Sequence, residues 1–125
     1  MDVILIVFYF NFIIKFTDKL RKSFSIQNNW RYSNLEIKHD KNNQRFFSIV
    51  DGRESYLQYL KIDDSTLDYY KTYVPNELRG KGIAGKIVES ALNYALQNNL
   101  IIIPSCSYVD TFIERHPDYN KIVKK

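Results

Sequence analysis

Apolar and polar positions alternate with a period of two through the middle of the chain, then recur with a period near 3.6 after Gly82. That change separates strands from a helix. Leu35 to His39 predicts a short strand, and Lys41-Asn42-Asn43 a turn. Phe46 to Val50 predicts a second strand, closed by the hairpin signal Asp51-Gly52. Ser55 to Ile62 and Leu67 to Val74 alternate as strands three and four around Asp63-Asp64-Ser65, and Pro75 ends the fourth. Ile83, Ile87, Val88, Ala91, Leu92 and Ala95 fall at helical spacing and give a helix from Ile83 to Leu96 with one buried face, closed by Asn98-Asn99. Leu100 to Ile103 is a short all-apolar run, the pattern of a buried strand reached by a strand–helix–strand crossover. Tyr108 to Arg115 predicts a last helix, with Pro117 beyond its end. Together these predict an α/β (α+β) domain: a mostly antiparallel sheet, a crossover helix packed on it, and a fifth strand parallel to the fourth.

The joint between strand four and the helix carries the chemistry. Leu78-Arg79-Gly80-Lys81-Gly82-Ile83-Ala84-Gly85-Lys86 holds three of the four glycines. A strand, a glycine-rich turn and a helix N-terminus form an anion site, because unpaired N–H groups and the helix dipole both favour negative charge there. Three phosphate patterns overlie these residues. G-x-x-x-x-G-K-[ST], through Gly80, Gly85 and Lys86, fails at Ile87, which has no hydroxyl for Mg²⁺. G-x-G-x-x-G, through Gly80, Gly82 and Gly85, lacks the acid that a dinucleotide fold places about 20 residues on. [RQ]-x-x-G-x-[GA], through Arg79, Gly82 and Ala84, fits completely.

That third pattern resembles the acetyl-CoA pyrophosphate loop of the GNAT acetyltransferases. Thr72 to Ala84 is similar to the T-x-V-P-x-x-L-R-G-x-G-I-[GA] run of a small, single-domain GNAT group. Pro104 to Val109 and Arg115-His116-Pro117-Asp118-Tyr119 resemble that group's P-x-C-x-[YF]-V and R-H-P-[ED]-Y runs. The likeness covers about Leu35 to Val123. It implies an N-acetyltransferase that moves an acetyl group from acetyl-CoA to an amine. It places Arg79, Gly80, Lys81, Gly82, Ile83, Ala84 and Gly85 on the pyrophosphate, and an N–H near Tyr73 and Val74 on the thioester carbonyl in an oxyanion-type role. Lys86 faces solvent or a peripheral phosphate. Direct transfer through a ternary complex is the default, and the competing reading is a non-catalytic CoA-binding or regulatory module.

Cys106, Tyr108 and His116 are the catalytic candidates, and each has a plainer role beside it. Free cysteine is often just a small buried hydrophobe, whereas the resemblance implies an active-site cysteine beside the thioester, as acyl carrier or pocket wall. Tyr108 is a packing residue or the acid for the departing thiolate. His116 has the right ordinary pKa for a general base, but within His116-Pro117 it also suits a helix end. Lys71 departs from the group, which often has a histidine before the strand-four threonine; a lysine serves as a neutral base only after a large pKa shift. No metal ligands are assigned.

Charge and the N-terminus set the outer limits. The 125 residues carry a net charge of +4, but residues 1–33 hold five basic and two acidic side chains, leaving thirteen against twelve for the rest. A near-neutral domain is a poor nucleic-acid binder. One cysteine excludes an internal disulfide and makes a reducing compartment, the cytoplasm, the default. Val3 to Ile14 is apolar apart from Asn11. As a helix it spans about 18 Å, short of the roughly 30 Å hydrocarbon core. It follows Asp2 instead of a basic region, and no small-residue cleavage site comes after it, so it is a poor signal peptide. It reads as a membrane-surface anchor through residues 3–22, an extra strand, or a non-native extension; the last is favoured because the family-like part begins only near Leu35. The division expected is 1–33 as an apolar and basic extension and 34–125 as the acetyl-CoA-binding domain. Larger GNAT enzymes wall the acceptor site with two helices between strands one and two. Here a tight turn joins those strands, so the acceptor side should be open to a protein, peptide or small amine.

Overall fold

Asp51 and Gly52 hold φ values of 53° and 76°, the left-handed backbone that a two-residue hairpin turn requires. This turn sets β2 (Arg45–Val50) antiparallel to β3 (Arg53–Asp63), in register from Val50↔Arg53 to Arg45↔Gln58. The computed structural model describes residues 35–124. Before β2 lies β1 (Lys38–Asp40), and after β3 come β4 (Thr66–Tyr73) and β5 (Ile101–Ile103). The five strands form one sheet in the order β1-β2-β3-β4-β5. Helix α1 (Ile83–Gln97) crosses from β4 to β5, which pair in parallel, and α2 (Ser107–Arg115) follows β5. Short 3-10 turns at Asn76–Leu78 and Pro117–Ile122 complete these residues. The apolar run at Val3–Ile14 lies outside the described residues.

The predicted order of elements is therefore the observed one, with two differences. The first strand begins at Lys38 instead of Leu35, because only Lys38, His39 and Asp40 find partners, on Phe47, Phe46 and Arg45. The two 3-10 turns carry no periodic pattern long enough to read.

Phe46, Leu57 and Tyr69 point from three neighbouring strands to the face on which α1 packs, and all three are buried. The matching face of α1 buries Ile87, Val88, Ala91, Leu92 and Ala95, the positions set by its 3.6-residue period. Tyr69 is fully buried, and its hydroxyl donates to the Ala91 carbonyl at 2.7 Å, so the ring fills the core without stranding a polar atom. Burying such a ring contributes about 3 kcal/mol. Sheet and helix are thus clamped together about two and a half helical turns past Gly82.

Two irregularities in β4 shape what lies at its end. Gln58 pairs with Lys71 but Tyr59 with Tyr69, so Tyr70 is an extra residue, a β-bulge. On its other edge β4 pairs with β5 only at Thr66, Leu67 and Asp68. One further bond ties the two, from the Cys106 N–H to the Tyr69 carbonyl at 3.0 Å. Beyond it β4 runs on to Tyr73 while the chain after β5 turns into α2. The strands part, and a cleft opens between them.

Candidate active site

Helix α1 begins with its amides open. Gly82, at φ 82°, is its N-cap, no side chain caps it, and its first turn holds no acid. The first helical hydrogen bond runs from the Lys86 N–H to the Gly82 carbonyl at 3.2 Å, leaving the amides of Ile83, Ala84 and Gly85 without helical acceptors. Gly80 also holds a positive φ, 79°. A Cβ at either glycine would meet nothing within 4 Å. The two glycines therefore serve the backbone turn, and the space above them is large enough for a ligand to reach the amides. A helix N-terminus free of acids, beneath open space and beside Arg79, fits a pyrophosphate.

Arg79 is also structural. Its Nε donates to the Val74 carbonyl at 2.8 Å, tying the loop back to the end of β4. The cleft of about 430 Å³ between them is lined by Thr72, Tyr73, Val74 and Leu78 on one side, by Arg79, Gly80, Gly82, Ile83 and Ala84 on the next, and by Tyr108 from α2. Backbone alternation bears on the thioester end. The Tyr59 N–H turns to β2, where it reaches the Gln44 carbonyl at 2.9 Å. Gln58 and Tyr56 therefore turn to β4 and engage Lys71 and Tyr73. The alternate residue of β4, Thr72, turns its amide to the cleft, and the same alternation carried one residue past the strand turns that of Val74 there, both residues lining the cleft. Of Tyr73 and Val74, which both line the cleft, the alternation makes Val74 the candidate for the expected N–H.

Tyr108 reaches the cleft because α1 lets α2 come close. A Cβ on Gly85 would lie 3.5 Å from the Tyr108 hydroxyl and 3.8 Å from the Phe112 ring. Gly85 has no positive φ. Neither Gly85 nor Lys81 is among the cleft-lining residues, and Gly85 works instead as the small contact between two helices. Burial raises the Tyr108 phenol above its ordinary value, against a smaller opposing pull from Arg115. It keeps its proton through the neutral range and is able to donate it.

Cys106 is half-buried at the N-cap of α2. Its Sγ donates to Thr72 Oγ1 at 3.4 Å, across the parting of β4 and β5. His116 lies elsewhere. Eight residues along from Tyr108, it is about 12 Å further down the axis of α2. Its Nδ1 bonds the Phe112 carbonyl at 2.8 Å, and its ring stacks on Phe112 at 4.1 Å. It caps the last turn of α2, whose carbonyls otherwise lack donors. The structure brings Thr72 and Tyr108 into the cleft lining, joins Cys106 to Thr72 without placing it among the lining residues, and leaves His116 outside. Thr72, a motif position with no expected role, is what the sequence reading missed; its pairing with Leu57 puts it on the inner face only because of the bulge.

A family model described as GCN5-related N-acetyl-transferase matches residues 45–122. The chain belongs to this family. Among characterised sequences it is similar to Protein NATD1 of Danio rerio, 28% identical over 89 residues, covering 68% of this chain and 81% of that one. Protein NATD1 of Xenopus tropicalis is 25% identical over 87 residues, covering 68% and 80%. Among solved structures, a GCN5-like protein from Staphylococcus aureus determined by NMR in solution superposes with a TM-score of 0.58 at 30% identity, covering 74% of this chain and 90% of that one. The mixed sheet with parallel β4 and β5 is the GNAT fold, and the glycine loop, the cleft and Tyr108 all fall within the matched span. No helix among the described residues is long and apolar enough to cross a membrane.

Proposed function

We propose that this GNAT protein transfers the acetyl group of acetyl-CoA directly to an amine. The observation that carries this reading is the acid-free, uncapped N-terminus of α1 opening into the cleft where β4 and β5 part. Bound acetyl-CoA supplies an activated acetyl group, and the chain's own residues do the rest. The amides of Gly82, Ile83 and Ala84, with Arg79 and Lys81 beside them, hold the pyrophosphate. The Val74 amide, on the cleft side of β4, polarises the carbonyl. Tyr108 holds a proton at its hydroxyl for the leaving sulfur. Thr72 walls the cleft between these ends, and Cys106 holds Thr72 in place through its hydrogen bond.

Among the described residues the cleft lining contains no carboxylate and no histidine. The acceptor loses its proton to water or to a nearby side chain, and no residue is assigned as general base. Residues 34–125 are assigned as the acetyl-CoA-binding unit, and the cytoplasm as its compartment. The test is turnover: acetyl-CoA with a panel of peptide, polyamine and amino-acid amines, read as free thiol released per acetylated product. Catalysis of one or more amines, lost in Tyr108→Phe by at least tenfold with CoA affinity retained, supports the reading. Tight CoA binding with no turnover of any amine favours the regulatory module instead.

A further inference from the structure

The sheet face turned away from α1 carries a row of rings that ends at the cleft. Phe47, Tyr56 and Tyr73 are register partners on β2, β3 and β4. The Tyr56 and Tyr73 centroids are 5.5 Å apart. Tyr73 both closes the row and lines the cleft, and it is 41% exposed. At the far end, on the same face, Ile49 is 58% exposed.

Three cations lie along this row, and their charges stand differently: Lys38, the β1 register partner of Phe47, at its far end, then Arg45, then Lys71 nearest Tyr73. Arg45 sits 4.7 Å from the Phe47 ring, but it is bound through both terminal nitrogens to Glu54 at 2.8 Å each. Lys71 lies 5.8 Å from the Tyr56 ring and makes no ion pair among the described residues. Its partner across the strand pair is the neutral Gln58. The one acid of β4, Asp68, lies further back, where β5 is still paired, with Oδ1 buried. Of the cations on this face, Lys71 is thus the one without an ion pair among the described residues that stands next to Tyr73, where the row of rings meets the cleft.

We infer that this row is the acceptor subsite and that it takes an amine on an acidic peptide segment. This rests on the acetyl-transfer reading. Lys71 pairs with a carboxylate of the peptide, and Phe47, Tyr56 and Tyr73 carry its backbone and apolar groups. A polycationic acceptor would meet Lys71 first, and like charges repel. A single amino acid is too small for the row, whose three strands span about 10 Å.

Calorimetry on the CoA-saturated full chain tests this with two peptides of one free α-amine each, Ser-Glu-Glu-Leu and Ser-Lys-Lys-Leu, and with spermidine. The acidic peptide should bind at least tenfold more tightly than either. Lys71→Gln should erase that margin and Lys71→Glu reverse it, with CoA affinity unchanged. Three results overturn the inference: tighter binding of the lysine peptide or spermidine, binding of neither peptide, or a preference that survives Lys71→Glu. A chain that CoA fails to saturate overturns the acetyl-transfer reading itself, which separates the two failures.

Discussion

Cys106 Sγ donates a hydrogen bond to Thr72 Oγ1 at 3.4 Å, joining the start of α2 to the last stretch of β4 across the gap where the two strands separate. With the Cys106 N–H on the Tyr69 carbonyl, it fixes how wide the cleft opens. The thiol is a donor to a neighbouring hydroxyl, and a serine can make the same bond. Cys106→Ser should therefore keep turnover within about tenfold, roughly 1.4 kcal/mol of barrier. Radiolabelled acetyl-CoA without acceptor should leave no acyl group on the protein. A hydroxylamine-sensitive label on the wild-type chain, lost together with turnover in Cys106→Ser, would show an acyl carrier instead.

Gly85 tells a packing role from a ligand role. A methyl there meets the Tyr108 hydroxyl at 3.5 Å, an ordinary contact. Gly85→Ala should gain about 0.5–1 kcal/mol, since glycine inside a helix costs that much. Gly85→Leu should lose about 1–3 kcal/mol by pushing Tyr108 and Phe112 off α1. Chemical denaturation of the three proteins measures both. Stability equal to wild type in Gly85→Leu would mean that α2 does not lean on this position.

His116 closes α2 through the Phe112 carbonyl. His116→Ala should cost about 0.5–1 kcal/mol of stability, the loss of one modest hydrogen bond. The pH dependence of kcat/KM should not move. Disappearance of an acidic limb near neutral pH in the variant would restore His116 as the base.

A second histidine controls stability instead. His39 Nε2 and the Tyr59 hydroxyl are 2.7 Å apart, and the imidazole stacks on Phe46 at 4.0 Å. Burial, with Lys41 adding to it, lowers the His39 pKa below 6.5, while burial pushes Tyr59 up to about 12. The native state holds His39 neutral, so the unfolded chain binds the extra proton as pH falls below 6.5. His39 therefore contributes its full stability above that pH and loses it as pH drops through the lowered native value. Melting temperature should fall between pH 7 and 5, and His39→Gln should flatten that fall. An identical slope in the variant would place the acid sensitivity elsewhere.

The sheet, the crossover helix and the phosphate loop were legible because each rests on a local pattern. Asp51-Gly52 dictates its turn, and Ile83 to Ala95 repeats at 3.6 residues. Gly80 and Gly82 hold the positive φ that only glycine adopts freely. The lateral chemistry was not legible. Strict alternation along β4 would put Lys71 on the inner face with Tyr69. The bulge at Tyr70 reverses that parity, so Thr72 turns inward to Cys106 and Lys71 outward to Tyr56. A single extra residue leaves no mark on a sequence where tyrosines fill positions 69, 70 and 73 alike. His116 was ambiguous for a related reason: its capping bond depends on where α2 ends, and helix ends are the least patterned part of a chain.

The most direct measurement is a calorimetric titration of acetyl-CoA into the full chain and into Gly82→Glu, with folding checked by circular dichroism. A carboxylate at position 82 sits on the open helix N-terminus, in the space that the pyrophosphate would occupy. Wild type should bind one equivalent, and the variant should lose at least a hundredfold in affinity, about 2.7 kcal/mol, while remaining folded. Equal affinity in a folded Gly82→Glu protein, or no binding by wild type, would contradict a phosphate site at the start of α1.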